Sequence, residues 1–416
     1  MLRSNVAGRF DNYDGSGTRT RINGEVRFAR AGVGAIVSAW SGVDRRGMVV
    51  PGFASIESDD RIPFWRELGR RVHEHGCKYI LQLAHAGRQR DIGGIEYRTG
   101  LSSTGKRDPL NGFPAEQASV EELHAIVRAF ADGARRAREA GLDGVEIHGA
   151  NGYLFTQFLS SAINERKDEY GGPLENRARL LLDTVRAVRA QVGDDFHVQV
   201  KLSAREDGNA FLPWLKRGNS LEESVRVARW LEKAGADAVH VSAGSSFPHP
   251  RNPAGGLPLR ELTENYDGLV SEGRYVLRNY LLYRTPGIKQ LMRRRWETPT
   301  DAVEGALLPA ARAIKQAVSI PVLCTGGFQT ASVVRAALSG GDCDAVTIAR
   351  PRVANPNLVE LWRAGHDRPP RPCTYSNKCL FNLLEHPMGC YDETRYESRG
   401  QMLAEVYEVY APPPFT

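Results

Sequence analysis

AGLDGVEI, residues 140–147, decides how this chain folds. A long amphipathic stretch ends at Ala140-Gly141, and a small-residue turn leads into a β-branched run that reads as a buried strand. AGVGAI at 31–36 and AGADAVHV at 234–241 repeat the same punctuation. Working outward, strands are predicted at 33–38, 78–83, 144–148, 197–202, 238–243, 320–325 and 345–349. Helices are predicted at 63–75, 119–140, 174–192, 220–234, 307–318, 330–339 and 356–364. Residues 2–7 are the one candidate for an eighth strand. Strand–helix alternation repeated this often means a parallel sheet. Eight units favour a closed α/β (β/α)8 TIM barrel over an open doubly wound sheet.

At about 150 residues per domain, a chain of 416 residues suggests two or three domains. A single barrel with insertions can exceed ~400. The expected division is a barrel over 1–365, carrying an insertion at 247–306, and an extension over 366–416 containing Cys and Pro. The insertion is too long for an ordinary βα loop. It holds a helix-like piece, SEGRYVLRNYLLYR, and the basic run Arg293-Arg294-Arg295. Three readings fit it: a helix packed on the barrel wall, a lid whose basic face draws in phosphates, or a subunit contact in a homo-oligomer.

Composition excludes several classes. With 41% apolar and 25% charged residues the chain is not disordered. No apolar run reaches the ~18 residues of a spanning helix, and MLRSNVAGRF lacks the apolar core of a secretory signal. Six cysteines are too sparse for a disulfide scaffold. A cytoplasmic protein without a membrane partner is the expectation. The net charge of +6 is mild. With no zinc finger or basic recognition helix, no nucleic-acid partner is expected either.

In such barrels the chemistry sits at the carboxyl ends of the strands. Strand three ends Gln82-Leu83-Ala84-His85-Ala86-Gly87-Arg88 and strand four ends His148-Gly149-Ala150-Asn151-Gly152-Tyr153. Lys201 lies on strand five, Gly326-Gly327 follow strand seven, and Ala349-Arg350 end strand eight. A glycine pair bares backbone N–H groups to a phosphate, and Arg350 offers a bidentate partner for the same group. Lys201 can stabilise negative charge on a ring over the barrel mouth. Gln82 offers a donor and an acceptor to the ring's edge. Flavin mononucleotide (FMN) fits these groups.

The chain resembles the old yellow enzyme family of FMN-dependent, NAD(P)H-using ene-reductases. The likeness runs from about residue 1 to 364. It is most specific at Gln-Leu-x-His-x-Gly-Arg, 82–88, and at HGANGYLFTQFLSSAINERKDEYGGPLENRAR, 148–179. The resemblance implies that His148 and Asn151 hydrogen-bond the carbonyl oxygen of a small-molecule substrate with an activated alkene, and that Tyr153 donates a proton to its α-carbon. It further implies that Gln82 and Lys201 hold the flavin ring, and that Gly326, Gly327, Ala349 and Arg350 hold its phosphate. NAD(P)H would be the co-substrate, with no choice between NADH and NADPH legible.

Three departures from the family stand out. The chain begins almost inside strand one, so either an open barrel floor or a true start further upstream is expected. Val6 or Ala7 stands where the family often places a flavin-tuning Thr or Cys. Lys201 replaces the commoner Arg, keeping the charge but losing the planar fork. The tail resembles that of bacterial dienoyl-CoA reductases and amine dehydrogenases, which carry four cluster-ligating cysteines. Here Cys373, Cys379 and Cys390 remain and Ser376 stands at the second position, so no 4Fe–4S cluster and no other metal is expected. Two alternatives follow: a dienoyl-CoA-reductase-like or amine-dehydrogenase-like flavin subunit served by an electron-transfer partner, and a flavin-binding protein crippled by its short N-terminus.

Overall fold

The computed structural model describes residues 1–410 except 7, 91–96, 207–217, 245–248, 250, 265–272 and 384–385. Eight parallel strands form a ring: β1 (Leu2–Arg3), β2 (Ala35–Val37), β3 (Lys78–Ala84), β4 (Gly144–Gly149), β5 (His197–Ser203), β6 (Ala238–Ser242), β7 (Val322–Thr325) and β8 (Ala345–Ile348). β1 pairs with both β2 and β8, β2 pairs with β3, and the ladder then runs in order to β8. The sheet is therefore closed, and the chain forms the expected (β/α)8 barrel.

The barrel helices are α1 (Arg19–Arg30), α2 (Ile62–His73), α3 (Val120–Glu139), α4 (Leu174–Val192), α5 (Leu221–Lys233), α6 (Leu308–Lys315), α7 (Ala331–Ser339) and α8 (Leu358–Arg363). α3 starts at a capping box in which Ser119 and Glu122 exchange side-chain-to-backbone bonds, and it buries Leu123, Ile126, Phe130, Ala134 and Ala137. The repeated Ala-Gly punctuation has one cause. Gly32, Gly141 and Gly235 take φ of 77°, 77° and 100° as each helix turns back toward its strand, a conformation in which a side chain is strained.

Two elements differ from the sequence expectation. Among the described residues of the predicted strand 2–7, only Leu2–Arg3 form a strand, with Ser4 N donating once more to the Ile348 carbonyl at 3.0 Å. From Ser4 the chain enters the barrel mouth, where Ser4 and Asn5 bond to Lys201. Helix α1 is not predicted by periodicity because its buried face is partly charged. Arg21 lies 3.4 Å from Asp11, and Glu25 lies 3.1 Å from the buried Arg3.

The insertion leaves β6 and forms helices Leu259–Glu264, Arg274–Arg284 and Ile288–Trp296. Tyr283, Met292 and Trp296 pack with Phe113 and with Phe381 of the tail in a small apolar cluster separate from the main core. Arg278 donates to the Pro109 carbonyl at 3.0 Å, and Asn279 to that of Leu110 at 3.0 Å. Residues 247–248, 250 and 265–272 of the predicted insertion lie outside the described residues. Among the described residues no helix is long and apolar enough to cross a membrane.

Candidate active site

Alternation along the strands builds the site from below. Val145 and Ile147 join the apolar core, while Glu146 and His148 belong to the polar interior. Glu146 accepts from Gln82 Nε2 at 2.7 Å and from Gln199 Nε2, and it pairs with His240 Nδ1 at 2.6 Å. His240 Nε2 reaches the hydroxyls of Thr325 at 2.6 Å and Thr347 at 2.7 Å. Six strands thus contribute to one buried polar floor. Burial alone would raise the Glu146 pKa, but His240 and Lys201 overcome it and hold the carboxyl at about 2. Burial pushes His240 down against the pull of Glu146.

Lys201 stands one step above this floor, beside His148 in the β4–β5 register. Its ammonium donates to Asn5 Oδ1 and, at 3.4 Å, to Ser4 Oγ. Asn5 Nδ2 in turn donates to Gln82 Oε1 at 3.0 Å. Gln82 therefore directs one N–H to Glu146 and shares its carbonyl with Asn5. Burial lowers the Lys201 pKa to about 8 although Glu146 resists.

Beside Lys201, the rings of His148, Tyr153 and Trp40 make a cluster of edge contacts. Ring centroids are 4.5 Å apart for Trp40–Tyr153 and 5.0 Å for His148–Tyr153. Burial, reinforced by Lys201, pushes the His148 pKa down to about 3, so its imidazole is neutral at physiological pH. Burial pushes the Tyr153 phenol up. Asn151 has a left-handed φ of 60°. Its Nδ2 donates to the Ala243 carbonyl at 2.9 Å and to Asn252 Oδ1 at 3.2 Å. The amide that the resemblance assigns to a substrate is thus held by the loop after β6.

The ends of β7 and β8 form the third part. Gly327 has φ +70°, and a Cβ there would meet Val303 at 3.0 Å and the Tyr375 ring at 3.2 Å. No described residue accepts from the Gly326 or Gly327 N–H. Arg350 Nη1 donates to the Ala254 carbonyl at 2.6 Å and to Asn377 Oδ1 at 2.5 Å, with its guanidinium 5.3 Å from the Tyr375 ring centre. Its Nη2 and Nε have no partner among the described residues. The bare amides and this free edge match the acceptor oxygens of a phosphate.

The nine predicted residues Gln82, His148, Asn151, Tyr153, Lys201, Gly326, Gly327, Ala349 and Arg350 all line one cleft of about 1990 Å³, counted out to solvent. Sequence reasoning missed Asn5, Trp40, Tyr375 and Asn377. Trp40 had a signal, an aromatic residue three positions past β2. The others act through contacts distant in sequence. Val6 also lines the cleft, whereas Ala7 lies outside the described residues. Of the tail cysteines, Cys379 reaches the cleft, and burial raises the Cys373 thiol to about 11.

Comparison with known proteins adds to this geometry. The profile of the NADH:flavin oxidoreductase / NADH oxidase family matches residues 14–251, and that of dihydrouridine synthase matches 293–401. An NADH oxidase of Thermoanaerobacter brockii is 29% identical over 405 residues, covering 94% of this chain and 54% of that protein. An NADPH dehydrogenase of Halalkalibacterium halodurans is 37% identical over 218 residues, covering 52% of this chain and 60% of its own. The chain spans about half the length of the curated relatives it matches. The structure of an old yellow enzyme homologue from Zymomonas mobilis superposes with a TM-score of 0.64 at 23% identity, covering 89% of each chain. At that identity the likeness is one of fold.

Proposed function

The chain belongs to the NADH:flavin oxidoreductase / NADH oxidase family, and from that premise we propose that it is an FMN-dependent enzyme that takes hydride from NAD(P)H and reduces an activated C=C bond. One observation carries the reading: a single cleft joins a neutral imidazole and a protonated phenol at one end to a phosphate cradle at the other, with a buried cation between them. Gly326, Gly327, Ala349 and Arg350 would hold the phosphate of FMN, and Lys201, Gln82 and Asn5 would meet its ring. When bound, the flavin supplies reversible hydride storage between the two substrates.

The chain's own residues have separable tasks. Neutral His148 donates a ring N–H to the carbonyl oxygen of the alkene substrate and stabilises the charge that develops there. Tyr153, kept protonated by burial, delivers a proton to the α-carbon. Lys201, with a pKa of about 8, remains largely cationic at neutral pH beside the ring. Asn151 fixes the loop after β6 against the site, and it reaches a substrate only where Asn252 yields.

The test is Tyr153→Phe followed by stopped flow. The NAD(P)H half-reaction should be nearly unchanged, while oxidation by an enone slows by roughly 10²–10⁴-fold, the size of a general-acid contribution. Equal slowing of both half-reactions would contradict the assignment.

A further inference from the structure

We infer that the activated alkene accepted by this cleft carries an anionic group, a carboxylate or a phosphate, bound by Arg205 and Arg251 at the rim; this rests on the flavin reading above. Among its described lining residues the cleft has five cations, Arg9, Lys201, Arg205, Arg251 and Arg350, and no Asp or Glu. The whole chain nets only +6, so this is a strong local excess. Outside the cleft, exposed arginines such as Arg70 and Arg186 have carboxylate partners. Arg350 belongs to the phosphate cradle and Lys201 to the ring. Arg205 is exposed, and no described residue binds its side chain. Half-buried Arg251 donates to the Arg295 carbonyl at 3.0 Å and has no carboxylate partner among the described residues.

Position adds to charge. The Arg205 carbonyl accepts from Gly244 N at 3.3 Å. The Gly244 carbonyl accepts from Ser203 Oγ at 2.8 Å, and that Oγ accepts from Asn151 N at 3.0 Å. Arg251 precedes Asn252, the residue that holds the Asn151 amide. Both arginines therefore hang from the loops that pin Asn151. Trp40, Phe53 and Phe113 supply apolar lining in the same cleft. The matching substrate has an apolar body, a conjugated carbonyl at His148 and an anion directed outward. A cleft lined by one sign of charge also concentrates such a substrate from solution.

The experiment uses FMN-loaded protein and a matched pair of phenolic probes, 4-hydroxycinnamate and its neutral methyl ester. Binding is followed by the long-wavelength band that a phenol stacked on oxidised flavin produces. The anion should bind on the order of tenfold tighter, the scale of one charge-assisted hydrogen bond at a wet rim, and the gap should shrink in high salt. Arg205→Gln should narrow the gap and leave the ester affinity unchanged, Arg205→Lys should keep most of it, and Arg251→Gln should act like Arg205→Gln. Equal affinity of acid and ester in the wild type would overturn the inference, as would a gap indifferent to both Gln substitutions. A rise in KM for NADPH alone would assign the arginines to the dinucleotide and overturn it too. A protein that takes up no FMN would refute the flavin reading itself, whereas FMN-loaded protein that gives no band with either probe would overturn this inference alone.

Discussion

His148 is held neutral before any substrate arrives. Its pKa of about 3 comes first from burial and then from Lys201. The unfolded chain would take up a proton near pH ~6.5, whereas the folded chain refuses it until about pH 3. Stability is therefore full above pH ~6.5 and is lost as pH falls from there toward 3, each unit of difference corresponding to about 1.4 kcal/mol. His240 is shifted in the same direction and shares the effect. His148→Asn should thus flatten, without abolishing, the fall of Tm between pH 6.5 and 4. An unchanged slope in thermal melts would contradict the buried neutral imidazole. At this scale the sequence is readable where a polar residue ends a strand, as at His148 and Tyr153. Glu146 and His240 sit inside the strands, and their meaning lies in the register that sets Glu146 opposite both Gln82 and Gln199.

The tail shows what spacing reveals and what it hides. Cys373, Ser376 and Cys379 mark the segment in the sequence, but the residues between them do the structural work. Tyr375 donates to the Gly327 carbonyl. Asn377 accepts from Arg350 and donates to the carbonyls of Pro253 at 3.1 Å and Gly256 at 2.9 Å. Tail, insertion and the ends of β7 and β8 are thereby tied around one arginine. Asn377 has φ 63°, so Asn377→Gly keeps the backbone relaxed and removes only the side chain. FMN affinity should drop about tenfold, by the loss of an orienting charge-assisted bond, while riboflavin, which lacks the phosphate, should bind as before. Equal loss for both ligands would make the segment a general support rather than a holder of Arg350. Helix α1 was illegible for a related reason: a buried face built on Arg21 and Glu25 breaks the apolar period that announces the other helices.

Across the whole molecule, barrel closure is legible because its signals are local and repeated, each Ala-Gly turn placing one strand after one helix. The docking of insertion and tail is not, since Phe113 meets Phe381 and Arg350 meets Asn377 only once the barrel exists. The nine residues read from strand ends converge because a parallel barrel gathers all such ends on one rim. The most direct test of the central claim is an anaerobic spectral cycle of the protein reconstituted with FMN. NAD(P)H should bleach the flavin band, and 2-cyclohexenone should then restore it in full without oxygen. A colourless protein that takes up no FMN, or a bleached band that the enone leaves unchanged, would contradict it.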